Sequence, residues 1–327
     1  MHFMLTGATG FVGRRVLAKL LARGDEVTAL VRSVERAQEL AGPSVRLVEG
    51  DITDRASLLP AMAGADGVFH VAGWYQVGLN RPDLAHQINV AGTRNVLEMM
   101  AELGIAKGVY TSSLAVNGDT KGAVVDERYR FQGKHVSDYD RTKWQAHFEV
   151  AEPLIDAGLP LVIVQPGLIY GPGDASPSGQ AIIDYVGGKL PALPTRAAYC
   201  WAHVDDVADG HLLAMDRGRI SQSYILAGPC HSLIEAFQIA ESVFGLPAPR
   251  LWIPAWLLRA LAVPVSWLDR WLPLPPRYSG EALRVQGGVT YLGTNRKAQE
   301  ELGYRPRPLA EGLRDSADYY RRAAGLA

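Results

Sequence analysis

The chain has 327 residues, enough for one large domain or two smaller ones with a sizeable core. Its net charge of −1 speaks against a nucleic-acid partner or an anionic membrane surface. Cys200 and Cys230 are the only cysteines, too few for a disulfide framework or a zinc cage, which fits a reducing, cytoplasmic setting although the two could still pair.

The first element predicted is a strand over Phe3 to Leu5. A turn follows with glycines at 7, 10 and 13, and then Val16, Leu17, Leu20 and Leu21 recur at helical spacing up to Gly24. Strand, G-x-x-G-x-x-G turn and helix together form a dinucleotide-binding fingerprint. A side chain there would hold the backbone N–H groups off a pyrophosphate, while the helix start supplies partial positive charge. Gly7, Thr9, Gly10, Phe11, Val12 and Gly13 are therefore candidate cofactor-binding residues.

Further strands are predicted at Val27–Val31, Val45–Val48, Gly67–Val71, Gly108–Ser112 and Leu161–Val164. Helices are predicted at Val34–Leu40, Asp54–Met62, Ile88–Leu103 and Tyr139–Ala157. Strands alternating with helices imply an α/β fold with a parallel, doubly wound Rossmann-type sheet, whose ligands sit beyond the carboxyl ends of the strands. After Pro166 the texture changes to proline- and tryptophan-rich sequence. The expected division is a dinucleotide-binding domain over 1–170, with segments near 200–226 returning to it, and a smaller substrate lobe mainly over 171–327. The most apolar stretch, Leu251 to Pro276, carries Arg259, Asp269, Arg270 and several prolines, so it is not read as a membrane span. The chain start lacks the basic n-region of a signal peptide.

Tyr139 and Lys143 stand four apart near the start of a predicted helix and so share one face. A phenol with a pKa of about 10 is a poor acid–base group near neutrality. A nearby ammonium and an oxidised nicotinamide, both positive, are expected to draw it toward the working range. Such a pair is also common on a solvated helix. Here the fifth strand ends in Tyr110-Thr111-Ser112-Ser113, which offers hydroxyls where the sheet opens toward a ligand, and Ser113 could steady a carbonyl oxygen beside the phenol.

These motifs follow one another as Thr6-Gly7-x-x-Gly10-x-x-Gly13, Gly50-Asp51, His70-Val71-Ala72-Gly73, Asn89-Val90-x-Gly92-Thr93, Thr111-Ser112-Ser113 and Tyr139-x-x-x-Lys143. In this order they resemble the extended short-chain dehydrogenase/reductase family (the NAD(P)-dependent epimerase/dehydratase superfamily), within it the dihydroflavonol-reductase-like and 3β-hydroxysteroid-dehydrogenase-like branch. The resemblance covers Phe3 to Gly173 and continues thinly through Val204–Ala208 and Asn295–Tyr320. It implies that Tyr139 is the proton donor or acceptor, that Ser113 steadies the substrate oxygen, and that Lys143 binds the nicotinamide ribose and tunes Tyr139. It further implies that Asp51 and Ile52 flank the adenine, that Val71, Ala72, Gly73 and Thr111 line the cofactor, and that Pro166, Gly167 and Leu168 meet the nicotinamide end. Asn89 matches a position that supports the helix and, in related enzymes, a proton relay. A homodimer through the two long helices is also implied.

The end of the second strand bears on the choice of dinucleotide. An NAD enzyme wants a carboxylate about 19 residues after the last glycine, to bond the ribose 2′-OH. This chain has Arg32 there, beside Ser33, with Arg14 near the turn; a guanidinium suits a 2′-phosphate, so NADP(H) is expected over NAD(H). For the substrate, Trp74-Tyr75-Gln76 should sit near the opening. Trp252, Trp256, Trp267 and Trp271 fit either core packing under a proline-rich cap or an apolar lid. That favours an aromatic, steroid-like or long aliphatic carbonyl as the small-molecule partner. Leu114-Ala115 stands where the family's sugar-nucleotide dehydratases place an acidic pair, which disfavours dehydration. His70, His203 and His211 do not form a metal spacing, so no metal is expected. The reading is an NADP(H)-dependent oxidoreductase. Its rivals are an NAD-dependent sugar-nucleotide epimerase and a non-catalytic dinucleotide sensor.

Overall fold

The computed structural model describes residues 1–75, 81–268, 271 and 279–326; Gln76, Asp269, Arg270 and 272–276, named above, lie outside them. In chain order the strands begin with β1 (His2–Thr6), β2 (Glu26–Val31), β3 (Val45–Glu49), β4 (Gly67–His70), β5 (Gly108–Thr111) and β6 (Leu161–Pro166). They continue with β7 (Leu168–Tyr170), β8 (Ala192–Pro194), β9 (Ala198–His203), β10 (Ser223–Leu226), β11 (Cys230–Ser232), β12 (Leu251–Ile253) and β13 (Thr290–Tyr291). Seven of them form one sheet in the order β10-β6-β5-β4-β1-β2-β3, with every neighbouring pair parallel. The strand order reverses between β1 and β4, and that is where a ligand crevice opens.

Burial on both faces explains why β1 reads as an unbroken apolar run. Phe3 and Leu5 pack with Leu17 and Leu20 of the helix Phe11–Ala22, while Met4 faces the opposite layer with Leu97, Met100 and Val150. The two long helices of that layer are not uniformly wound. One runs from Pro82–His86 through a π turn over Gln87–Gly92 into Thr93–Glu102. The other runs from Asp138–Gln145 through a π turn over Ala146–Ala151 into Glu152–Asp156. The first starts earlier than Ile88, because Pro82 suits the first turn of a helix.

Within the 200–226 stretch, β10 is the outermost strand of the main sheet and the helix Val204–Arg217 packs on Phe11–Ala22. By contrast, β9 lies in a smaller sheet with β7, β11 and β13. Cys200 and Cys230 face each other across β9 and β11 and are joined by a disulfide. Cysteine content therefore no longer argues for a reducing compartment.

For the tryptophans of the 251–271 region, left open between core packing and an apolar lid, the structure excludes the first. Trp252, Trp256, Trp267 and Trp271 are 53%, 69%, 63% and 74% exposed, so they do not pack into a core. Only Leu258 and Ala262 of the helix Ala255–Leu268 are buried, a stripe one turn long against the helix Gly280–Gln286. No helix among the described residues is long and apolar enough to cross a membrane.

Candidate active site

The helix Phe11–Ala22 begins at Gly10 with no side-chain cap and no acidic residue in its first turn, so its leading N–H groups stay open to an anion. A Cβ on Gly13 would lie 2.0 Å from the Gly7 carbonyl oxygen; the missing side chain lets helix and strand meet. Phe11 borders the loop at Gly173, Val12 packs toward the core, and the Thr9 carbonyl accepts from Arg14 Nε at 3.1 Å. Across the crevice, the Thr6 hydroxyl accepts the Val71 and Ala72 N–H groups, each at 3.1 Å. Its own proton then goes to His70 Nδ1 (2.8 Å), which leaves the Nε2 hydrogen for the Thr93 hydroxyl (3.1 Å). Burial, with Lys143 nearby, pushes His70 down to about 3, so a neutral ring ties β1 to β4. The uncapped helix start beside this seam fits the pyrophosphate of a dinucleotide.

Arg32 is exposed at the end of β2 and makes no ion pair among the described residues. Arg14 is already paired with Glu39, an exposed contact of small worth. Asp51 lies two residues past the end of β3, and its carboxylate accepts from the Thr53 N–H and hydroxyl, both at 2.9 Å. The Ile52 side chain is buried against Gly92, and its carbonyl accepts from Asn95 at 2.9 Å. Pro166 closes β6, and Gly167 leads from it into β7 at Leu168.

At the end of β5 three adjacent hydroxyls take different partners. Thr111 Oγ1 bonds His211 Nε2 at 2.8 Å, and Ser112 Oγ bonds His147 Nδ1 at 2.7 Å. Ser113 caps the short turn Leu114–Asn117 by accepting the Ala115 N–H at 3.1 Å, and its hydroxyl stands near enough to the Tyr139 phenol to favour the phenolate. One helical turn on, Lys143 Nζ donates to the Thr111 carbonyl at 2.7 Å and lies 5.0 Å from the centre of the Tyr110 ring. A side chain at Gly73 would come within 3.8 Å of that ammonium, so the loop after β4 passes directly over it. Tyr75 meets Tyr139 edge-on at 4.7 Å, whereas Trp74 is buried and its backbone is clamped by Asn89. The Asn89 amide also donates to Thr142 Oγ1 at 2.9 Å, so this residue fixes the β4 loop to the helix bearing Tyr139.

Burial pushes the Tyr139 phenol up, and the nearby Ser113 hydroxyl only partly offsets it. Burial also brings Lys143 down to about 7. The downward pull expected on the phenol is thus outweighed by desolvation, and Tyr139 holds its proton at neutral pH. His203 and His211 are structural: His203 caps the helix Val204–Arg217 and bonds Ser316, and His211 bonds Val207 and Thr111.

Asp140 is a residue the sequence reading missed. It is buried beside Tyr139, accepts the Tyr291 hydroxyl at 2.7 Å, and is pushed up to about 7 by burial. A folded-state value above the unfolded one favours the protonated form. That stability is complete below the unfolded pKa and is lost as pH rises through about 7. Denaturant unfolding from about pH 4 to pH 8 should show wild type losing on the order of 3 kcal/mol more than Asp140→Asn. Equal slopes would mean that Asp140 ionises freely in the fold.

The sequence pattern of the family described as "NAD dependent epimerase/dehydratase family" matches residues 3–227. Sterol demethylase protein B of Methylococcus capsulatus is 29% identical, covering 98% of each chain. Human 3 beta-hydroxysteroid dehydrogenase type 7 is 31% identical over 93% of this chain and 91% of its own. The crystal structure of gox2253 superposes with a TM-score of 0.83 at 34% identity, covering 98% of each chain.

Proposed function

The chain belongs to the NAD dependent epimerase/dehydratase family and is an oxidoreductase of that type, and from this premise we propose that it is an NADP(H)-preferring reductase of apolar or aromatic carbonyl compounds. The observation that carries the proposal is Lys143, held by the Thr111 carbonyl one helical turn from the Tyr139 phenol, with the Ser113 hydroxyl near that phenol. When bound, the nicotinamide supplies the hydride at its C4. Tyr139, kept neutral by burial, is in the protonation state that donates to a carbonyl oxygen. Ser113 would share that oxygen and hold it in line, and Lys143 would hold the ribose side of the cofactor. Tyr75 would form the aromatic wall of the substrate opening. The names of the sterol and hydroxysteroid relatives support a large apolar substrate class.

Arg32, exposed and without an acidic partner among the described residues, supports NADPH as the reductant. Initial rates on an aryl or steroid ketone, followed by NADPH and NADH absorbance, test both halves of the proposal. Wild type should favour NADPH by roughly tenfold or more, and Arg32→Asp should reverse that preference. An unchanged preference in the variant would count against Arg32. Purified protein that releases bound NAD and interconverts sugar nucleotides would replace this reading with the epimerase one.

A further inference from the structure

We propose that residues 251–268, together with Trp271, dock the protein on the surface of an anionic lipid bilayer. Nine of the sixteen exposed large hydrophobic residues among the described residues fall in this segment. Scattered exposed side chains are normal, but a contiguous set of this kind marks an interaction surface. The helix Ala255–Leu268 is apolar around almost its whole circumference, yet among the described residues only its Leu258/Ala262 stripe is buried, with Ala255, Val265 and Ser266 half-buried. An isolated helix of that composition needs an apolar neighbour on its other faces. At 14 residues it reaches about 21 Å, short of the roughly 30 Å hydrocarbon core, and Pro264 interrupts it. It can lie in a bilayer surface but cannot cross one.

Composition and charge identify the occupant. All four exposed tryptophans of the described chain lie here, and indole rings favour the headgroup boundary, where one edge is apolar and the N–H is hydrated. Residues 246–268 contain no Asp or Glu, while Arg250, Arg259 and, from the neighbouring helix, Arg284 are exposed around the patch. Arg259 Nε donates to the Gly287 carbonyl at 2.9 Å and Arg284 donates to Ser266 Oγ at 2.7 Å, which fixes both cations at the rim of the apolar surface. The overall charge of −1 hid this local balance. A twofold contact with a second copy would set the Arg-bearing rims against each other with Asp269 as the segment's single carboxylate, whereas anionic headgroups complement them. The adjoining helix Gly280–Gln286 touches the start of the Tyr139 helix, where Asp138 N–H donates to Glu281 at 2.8 Å. Docking would therefore bring the substrate opening close to the lipid. The inference does not depend on which reaction the site performs.

The test is flotation of the full chain with vesicles of phosphatidylcholine mixed with phosphatidylglycerol, with tryptophan emission recorded alongside. Wild type should float with the vesicles and shift its emission to the blue. Trp256→Ser and Val263→Asp, both at exposed positions, should each weaken binding by roughly tenfold while leaving circular dichroism unchanged. Wild type that stays unbound, or variants that float like wild type, would overturn the proposal. So would a wild-type dimer in sizing chromatography that these substitutions split, because the patch would then be a contact between copies.

Discussion

Tyr139→Phe should reduce turnover by about 10³-fold or more while NADPH affinity stays within roughly twofold. The substitution removes one oxygen and keeps the ring, so the edge-on contact with Tyr75 at 4.7 Å is preserved. Lys143 is held by the Thr111 carbonyl and by the Tyr110 ring rather than by the phenol, so the side chain proposed to hold the ribose stays in place. What is lost is the acid: Ser113 keeps its bond to the Ala115 N–H but no longer faces a phenol proton. Fluorescence titration with NADPH and a steady-state assay separate the two effects. A variant that retains more than about a tenth of the wild-type rate would show that the proton comes from elsewhere.

The largest structural effect is expected at Gly13. Its added Cβ would lie 2.0 Å from the Gly7 carbonyl oxygen and 2.6 Å from the carbonyl carbon, both backbone atoms that no rotamer change can move. Gly13→Ala must push the helix Phe11–Ala22 off β1 and open the cluster around Leu17 and Leu20, at a cost of about 3 kcal/mol or more. Gly10→Ala is the informative contrast, because its Cβ meets only the Gly7 oxygen, at 3.2 Å. That variant should melt near wild type but bind NADPH at least roughly tenfold more weakly, since the new methyl stands at the open helix start. Denaturant midpoints and NADPH titration read the two changes independently. Equal stability for Gly13→Ala and wild type would mean the helix is not seated as described.

The parts of this molecule legible from sequence are those written in short range. β1, the glycine turn and the following helix are a local pattern of apolar spacing and small residues, and the structure places all three as expected. The hydroxyls at 111–113 were recognised as a set, but their division was not legible, because His211 and His147 come from distant segments. Asp140 escaped notice for the same reason: its partner Tyr291 lies 151 residues away. The Cys200 carbonyl would sit 2.2 Å from a Cβ on Gly167, a contact between the β6–β7 junction and β9 that no local spacing encodes. The tryptophans of 251–271 were ambiguous because apolar residues at helical spacing describe a covered helix and an uncovered one equally well.

Both long helices change their winding midway, at Gln87–Gly92 and Ala146–Ala151. A π turn holds one residue more than a regular turn would, so the side chains beyond it are rotated by about 100° relative to unbroken winding. Upstream of the second turn, Tyr139 and Lys143 look into the crevice; within and beyond it, Val150 and Leu154 pack the opposite layer of the sheet. The helix bearing Tyr139 therefore carries two phases, one turned to the crevice and one to packing. Removing a single residue from that junction would merge them into one phase, so that crevice and core could no longer both be correctly aimed.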